Sequence, residues 1–335
     1  MESRDQSMPA STQPEMSVVV VTPDTYATVR KSIQHLRAQQ NPNQLEIILV
    51  APSAAHVAID ETELKDFNRF SIVEVGDMSS TARARVAGVH AASAEIVAFV
   101  EDHAFPAPGW ADALIAAHRA NWAAVGPVMS NANPRSITSW ANLAIEYSYW
   151  LEPMPRGEAE HLPGHNCSYK RSLLLAYGDQ LEEMMDAESI LHWDLRARGH
   201  GLAIEPKART LHQNFSRFLP SITLRFHGGR LFASARAAQW PVWRSLVFTG
   251  AAPLIPWVRF ARIIRELRRE GRPRHLLPRI IPALFILLAF DGLGEMVGYA
   301  FGAGRSMAIL SEMEFHRQRY LDKLDQLEPA PAPTR

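Results

Sequence analysis

The sequence predicts an α/β fold: a Rossmann-like, mostly parallel mixed sheet flanked by helices, followed by a helical C-terminal region. Three observations carry this. Val18–Val21 is a β-branched run closed by Thr22-Pro23-Asp24, the pattern of a buried first strand. Apolar strands then alternate with segments of helical period up to residue 128. One of those strands, Ile96–Val100, stops at Glu101-Asp102-His103 before a Pro-rich turn and Gly109-Trp110. The carboxyl ends of such strands are where open α/β sheets bind ligands.

The elements follow in order. After the first strand comes a helix with Val29, Ile33 and Leu36 on one face. Leu45–Val50 and Ser71–Val75 read as the second and third strands. A small-residue helix carries Ala82, Val86 and Val89 on one face and leads into Ile96–Val100. Trp110–Arg119 reads as a helix and Ala123–Val128 as a strand. Residues 130–163, rich in Asn, Ser, Pro and aromatics, read as a packed connection. Arg171–Tyr177 and Asp186–Arg198 read as helices, the second stopped by Gly199 and Gly201. Leu202–Glu205 and Ala208–His212 close the unit.

These readings divide the chain into a disordered lead (1–16), a catalytic domain (17–215), a helical region (216–327) and a disordered tail (328–335). The chain has 335 residues, with Lys plus Arg and Asp plus Glu at 35 each, so its average charge implies no polyanionic partner. Cys167 is the only cysteine, which excludes an intrachain disulfide and fits a reducing compartment. The lead has no apolar h-region of a signal peptide.

At the tip of Ile96–Val100, strand alternation predicts that Glu101 and His103 point one way and Asp102 the other. Glu101 and His103 would then offer two ligands to one divalent cation. Taken alone, the same triplet also reads as a solvated turn.

The order of these pieces resembles the family 2 glycosyltransferases, over roughly residues 17–215 and with no single motif carrying it. The opening strand and helix are similar to the start of that family's nucleotide pocket. Ala84-Arg85-Val86-Ala87-Gly88 looks like its alanine-arginine-asparagine-x-glycine helix, with Val86 in place of the asparagine. Ile96–Trp110 looks like its apolar strand, acidic metal triplet and proline-glycine-tryptophan turn. Gly164–Arg171 resembles its glycine-x-asparagine segment. Glu188, eleven residues before Gly199, falls at the family's acidic base, and His212 at a histidine that can join the metal site.

The resemblance implies a nucleotide-diphospho-sugar transferase fold and a metal-dependent inverting transfer from a nucleoside-diphosphate sugar, by family habit UDP-linked, to a lipid-linked or polysaccharide acceptor. Glu101, His103 and His212 would hold the metal; imidazole among carboxylates suits manganese better than magnesium. Glu188 would take the acceptor proton, with Asp186 the rival; either also reads as a carboxylate at a helix start. Thr22, Asp24, Arg85, Asp102 and Asn166 are the candidates for donor binding. Two departures stand out. The second strand ends in Ala51-Pro52-Ser53 where the family has paired aspartates, so the base contact would fall to Asp24 or Asp77. The metal triplet is Glu-Asp-His, a softer set than the usual aspartate pair.

In the C-terminal region, seven arginines between Arg259 and Arg274 face two glutamates and lie beside apolar windows at Ser245–Val258 and Ile280–Phe290. Both windows are shorter than the roughly 18 uncharged apolar residues of a membrane span. A basic amphipathic helix beside such windows fits an interfacial protein on anionic lipids, at the cytoplasmic face of the cell membrane. A solvated surface helix fits the same pattern. Nucleic acid is not expected as a partner, because the aromatics here are mixed with prolines and long aliphatics. The competing functions are a degenerate membrane-associated scaffold and a nucleotidyltransferase, the latter lacking its Gly-rich basic loop at Thr22–Val29.

Overall fold

The computed structural model describes residues 13–59, 61–78, 80–186 and 188–327. The expected lead and tail lie mostly outside these residues, although Met16 opens the first strand and is fully buried.

Strand β1 (Met16–Val21) is followed by helix α1 (Tyr26–Arg37), β2 (Leu45–Ala51), the short α2 (Ala54–Val57) and β3 (Arg69–Glu74). Helix α3 (Thr81–Ala91) then leads into β4 (Ile96–Val100). β1 lies between β2 and β4, parallel to both, with Val18 opposite Ile47 and Ala98. Both faces of β1 are covered, which is why its β-branched run does not alternate. On one side Val18, Val20, Ile47 and Leu49 pack on Val29, Ile33 and Leu36 of α1. On the other, Val19, Ile48 and Val50 pack on Ala82 and Val89 of α3. Gly88 allows that approach, since a Cβ there would collide with the Val19 side chain.

The second half of the sheet is mixed. β5 (Ala104–Pro106) and α4 (Trp110–His118) precede β6 (Trp122–Asn131). Helix α5 (Ile137–Tyr147), β7 (Gly157–Glu158), β8 (Ser168–Lys170), α6 (Arg171–Leu175), α7 (Leu181–Asp186), α8 (Glu188–Ala197) and β9 (Gly201–His212) complete the unit. The sheet runs β3-β2-β1-β4-β8-β6-β9-β5, with β7 beside β9. β8 pairs antiparallel with both β4 and β6, whereas β6 and β9 run parallel.

Three local expectations need correction. Residues 130–163 are more than a packed connection: α5 lies within them, opened by Ser136, whose side chain accepts from the Ser139 amide. The helix expected at Asp186–Arg198 is two helices, with Asp186 ending α7 and Glu188 opening α8. The two short strands expected before His212 are one twelve-residue strand with an irregularity opposite Pro127/Val128.

Beyond β9 the chain is helical: α9 (Phe218–Ala237), α10 (Val242–Ala251), α11 (Ile255–Leu267), α12 (Leu277–Phe301), α13 (Ser306–Phe315) and α14 (Lys323–Leu327). α9 and α12 touch backbone to backbone. A Cβ on Gly229, Gly294 or Gly298 would strike the carbonyls of Asp291, Phe226 or Arg230. Leu143, Ala144 and Tyr147 of α5 share one apolar cluster with Ile263, Ile264, Leu284 and Leu288 of α11 and α12. The apolar helical runs exceed the windows seen in the sequence. Val242–Leu267 and Arg274–Phe301 both pass, by length and composition, as long and apolar enough to cross a membrane.

The arginine cluster does not form one uniform basic face. Arg259 pairs with Asp291, Arg269 with Glu266, and Arg272 is buried, donating to the Ser148 and Tyr149 carbonyls. Arg262, Arg265, Arg268 and Arg274 remain exposed.

Candidate active site

The parallel strands end at a cavity of about 490 Å³. Its floor is Glu101, Asp102 and His103; one wall carries Arg85, His165, Asp186 and Glu188, and another Glu146, Tyr147 and His212. α13 and the helical turn at Arg317–Tyr320 fold back across the opening, bringing Glu314, Phe315 and Arg317 to the lining.

Glu101, Asp102 and His103 form a turn, closed by the Ala104 amide donating to the Glu101 carbonyl at 3.0 Å. Ser32 of α1 tethers it, donating to the Asp102 and Ala104 carbonyls at 3.0 and 3.1 Å. This geometry corrects the alternation argument: Asp102 does not point away, and its Oδ1 lies 2.6 Å from His103 Nδ1. Strand alternation ends where the strand ends.

The strand register brings His212 to the same place. β5 pairs antiparallel with β9, with Ala104 opposite His212, so the residue before β5 and the last residue of β9 become neighbours. The His103 and His212 rings lie 4.8 Å apart, nearly edge to face. Both Nε2 atoms lie 3.5 Å from the same oxygen, Glu101 Oε2. Their Nδ1 atoms are engaged behind, His103 with Asp102 and His212 with Asn214 Oδ1 at 2.8 Å. One donor atom from each of Glu101, His103 and His212 falls within 4.8 Å of the others, close enough for one metal ion.

Burial, reinforced by Arg317, pushes the His103 imidazole down to about 3, so it is neutral and has a lone pair to offer. Burial also pushes Asp102 up to about 7; Glu101 and Asp24 add to the rise and Arg317 opposes it.

The opposite wall is a second charged group. Arg85 Nη1 donates to Glu188 Oε1 at 2.7 Å. His165 Nδ1 is 2.7 Å from that oxygen, and the His165 amide donates to it at 3.2 Å. Burial opposes ionisation of Glu188, but His165 and Arg85 outweigh it and hold the carboxyl down at about 2. Asp186 ends α7 with its carboxyl only partly desolvated; that partial desolvation, with Glu182 and Glu188 nearby, raises it.

The other residues singled out in the sequence are placed as follows. Asn166 is buried and holds Glu101, its Nδ2 donating to Oε2 at 2.7 Å and its Oδ1 accepting from the Glu101 amide at 3.3 Å. Arg85 turns its guanidinium to Glu188. Thr22 is buried and its Oγ1 accepts from the Asp24 amide at 3.2 Å. Asp24 borders a smaller hollow of about 110 Å³ with Asp102, His103, Arg317 and Arg319. Asp77 lies outside the lining of both hollows.

Sequence reasoning missed Glu146 and Tyr147, because residues 130–163 read as a connection, and Arg317, because nothing local in the helical region 216–327 ties it to the cavity. Arg317 is buried, pairs with Glu314, donates to the Gln213 carbonyl at 3.2 Å and lies 4.7 Å from the Phe215 ring centroid.

Residues 17–178 match the family model described as Glycosyl transferase family 2. Among solved structures, the chain is similar to the mannosyltransferase PcManGT of Pyrobaculum calidifontis in complex with GDP-Man and Mn2+: 17% identity, 92% of this chain, 81% of that one, TM-score 0.43. It is similar to residues 1–349 of S. aureus TarS: 16% identity, 84% of this chain, 90% of that one, TM-score 0.44. It is also similar to GalNAc-T7 with UDP, GalNAc and Mn2+: 12% identity, 61% of this chain, TM-score 0.44; here it covers only 44% of the other chain. No curated protein matches. Residues 17–178 thus form a family 2 glycosyltransferase domain, and the chain is a glycosyltransferase.

Proposed function

We propose that the protein moves a sugar from a nucleoside-diphosphate donor, with inversion and with the help of a divalent metal, to a lipid-linked or polysaccharide acceptor. The observation that carries this is the convergence of Glu101 and the two Nε2 atoms on one point at the cavity floor. His103 Nε2 is buried and has no hydrogen-bond partner, a cost that a metal ligand removes. With Nδ1 engaged by Asp102 or Asn214, each imidazole presents Nε2 forward, the usual outer-shell arrangement for a ligating histidine. Glu101, His103 and His212 would hold the ion, and the mixed imidazole and carboxylate set favours manganese over magnesium. When bound, a divalent ion neutralises the departing diphosphate.

The chain's own groups do the rest. Asn166 fixes the Glu101 carboxylate, and Arg317 adds a permanent positive charge beside Asp102 and His103. Proton removal from the acceptor hydroxyl centres on Glu188, with Asp186 the other carboxylate of that wall. Asp24, Thr22, Asp102 and Arg85 are the assignments on the donor side, with uridine the base of first choice. The division at residue 215 separates the catalytic unit from the helices beyond it.

We place the protein peripherally, or as a monotopic protein, at the cytoplasmic face of the membrane. Support comes from Trp243, Leu246, Leu254 and Trp257, large apolar side chains each more than 60% exposed on α10, α11 and the turn between them. Exposed Arg262, Arg265 and Arg268 lie alongside.

The test of the reading is turnover of UDP-glucose, UDP-N-acetylglucosamine and GDP-mannose with manganese, followed by product anomer analysis. Slow hydrolysis of one donor to the inverted sugar is expected. Hydrolysis with retained configuration, or none for any donor, would overturn it; a nucleotidyltransferase would instead form sugar 1-phosphate, and only when pyrophosphate is added.

A further inference from the structure

Helix α10 is apolar, yet none of its ten residues is buried. So short a helix has little stability of its own in water and depends on packing an apolar face. Here Val242, Trp243, Leu246 and Val247 are each more than half exposed. Phe301, two residues beyond Tyr299 at the end of α12, is exposed as well. Apolar surface of this extent marks an interaction site.

The turn that leads into α10 carries the opposite chemistry. Trp240 stacks on Tyr299 of α12, with ring centroids 5.8 Å apart and planes 6° from parallel. Phe248 of α10 lies 4.7 Å from the Trp240 centroid. Two guanidiniums gather on these rings. Arg244 lies 4.0 Å from the Trp240 centroid. Arg236 lies 5.2 Å from Trp240 and 5.0 Å from Phe248, and donates to the Tyr299 hydroxyl at 3.2 Å. Both arginines are exposed, four residues either side of Trp240.

Neither guanidinium has an ion-pair partner among the described residues. Glu295 is reached from Arg236 through Tyr299, whose hydroxyl donates to it at 3.4 Å. Burial, with Asp291 beside it, pushes that carboxyl up to about 7, so it is only partly ionised at neutral pH. Two like charges held on one aromatic platform repel each other, and an anion between them removes that cost. The planar forks of arginine suit phosphate oxygens in particular.

The occupant therefore needs a phosphate group and an apolar body side by side. A phospholipid supplies both, the phosphodiester to the arginines and the acyl chains to α10. A choline or ethanolamine headgroup would bring a further cation to the pair, so a headgroup without one fits best.

We propose, resting on the membrane reading above, that Arg236 and Arg244 bind the phosphodiester of an anionic phospholipid while α10 lies at the boundary of headgroups and acyl chains. This places a specific headgroup contact outside the Arg259–Arg274 cluster, where Arg259, Arg269 and Arg272 are engaged within the fold.

Flotation of the full chain on phosphatidylcholine vesicles, with and without phosphatidylglycerol, tests this. Each basic side chain at an anionic surface is worth roughly a five-fold change in partitioning. Arg236→Gln with Arg244→Gln should thus lower partitioning onto the phosphatidylglycerol vesicles by about 20-fold, and hardly change it on phosphatidylcholine alone. Arg236→Lys with Arg244→Lys keeps the charge without the planar forks and should still lose several-fold. Both side chains are exposed, so urea midpoints should stay close to wild type. Inorganic phosphate at matched ionic strength should not release the protein.

A glutamine pair within about 2-fold of wild type would show the two arginines idle and overturn the proposal. A lysine pair equal to wild type would reduce the contact to general charge, and release by phosphate would make the ligand a free anion; either overturns it too. Wild-type protein that floats equally on both vesicles overturns the headgroup site and leaves the membrane reading standing. Flotation on neither removes both.

Discussion

Arg85 and Glu188, 103 residues apart in sequence, form a buried ion pair at 2.7 Å. The pair joins α3 to the start of α8 and so ties the first half of the sheet to the acceptor-side wall. Removing one partner of a buried pair leaves an uncompensated charge, which costs about 3–5 kcal/mol. Arg85→Met should therefore lower the urea unfolding free energy by about that amount; a change under about 1 kcal/mol would show that the pair is not buried as described.

Acid should weaken the fold in two stages. Burial, with Lys170 nearby, pushes His118 down to about 4 from an ordinary 6.5. A histidine lowered on folding contributes stability above its unfolded value, lost as pH falls from 6.5 towards 4. Glu188 is lowered from 4.5 to about 2, so its contribution is present above 4.5 and lost between 4.5 and 2. Urea midpoints for wild type and His118→Gln between pH 8 and 4 check this. The wild type should lose stability below pH 6.5 more steeply than the variant; parallel curves would contradict the assignment.

Arg317 should hold the C-terminal segment over the cavity. It reaches the Gln213 carbonyl, the Phe215 ring and Glu314. Arg317→Ala should speed hydrogen exchange for amides of 306–320 by 10-fold or more, with the amides of β1 and β4 little changed. Unchanged exchange in that segment would show that other contacts hold it.

Much of this arrangement is legible in the sequence. The Val18–Val21 run, the Ile96–Val100 strand and the helix carrying Val29, Ile33 and Leu36 are encoded by local apolar pattern, and the structure keeps them. The meeting of Glu101 with His103 and His212 depends instead on register, Ala104 opposite His212, which no local pattern states. The direction of Asp102 was misread because alternation was carried past the strand's end. α5 was missed because its small and polar residues hide a helix whose inner face is read only once α11 and α12 cover it. The return of Arg317 to the cavity is a tertiary event more than a hundred residues from Gln213, which no local pattern in the helical region states.

The exposed apolar surface should bind lipid. The full chain should float with vesicles of phosphatidylcholine and phosphatidylglycerol, and Trp243→Ser with Trp257→Ser should reduce the floated fraction several-fold. These two side chains are 66% and 61% exposed, so the fold should be unaffected. Equal flotation of both proteins, or none for the wild type, would remove the membrane assignment.

The central claim is that Glu101, His103 and His212 hold a divalent metal that serves the donor diphosphate. Calorimetric titration of UDP and GDP, with and without manganese, tests it most directly in wild type and His103→Ala. The account predicts that one nucleotide binds the wild type at least 10-fold more tightly with manganese, and that His103→Ala abolishes this gain. Binding equally tight without metal, or a manganese gain that survives in His103→Ala, would contradict it.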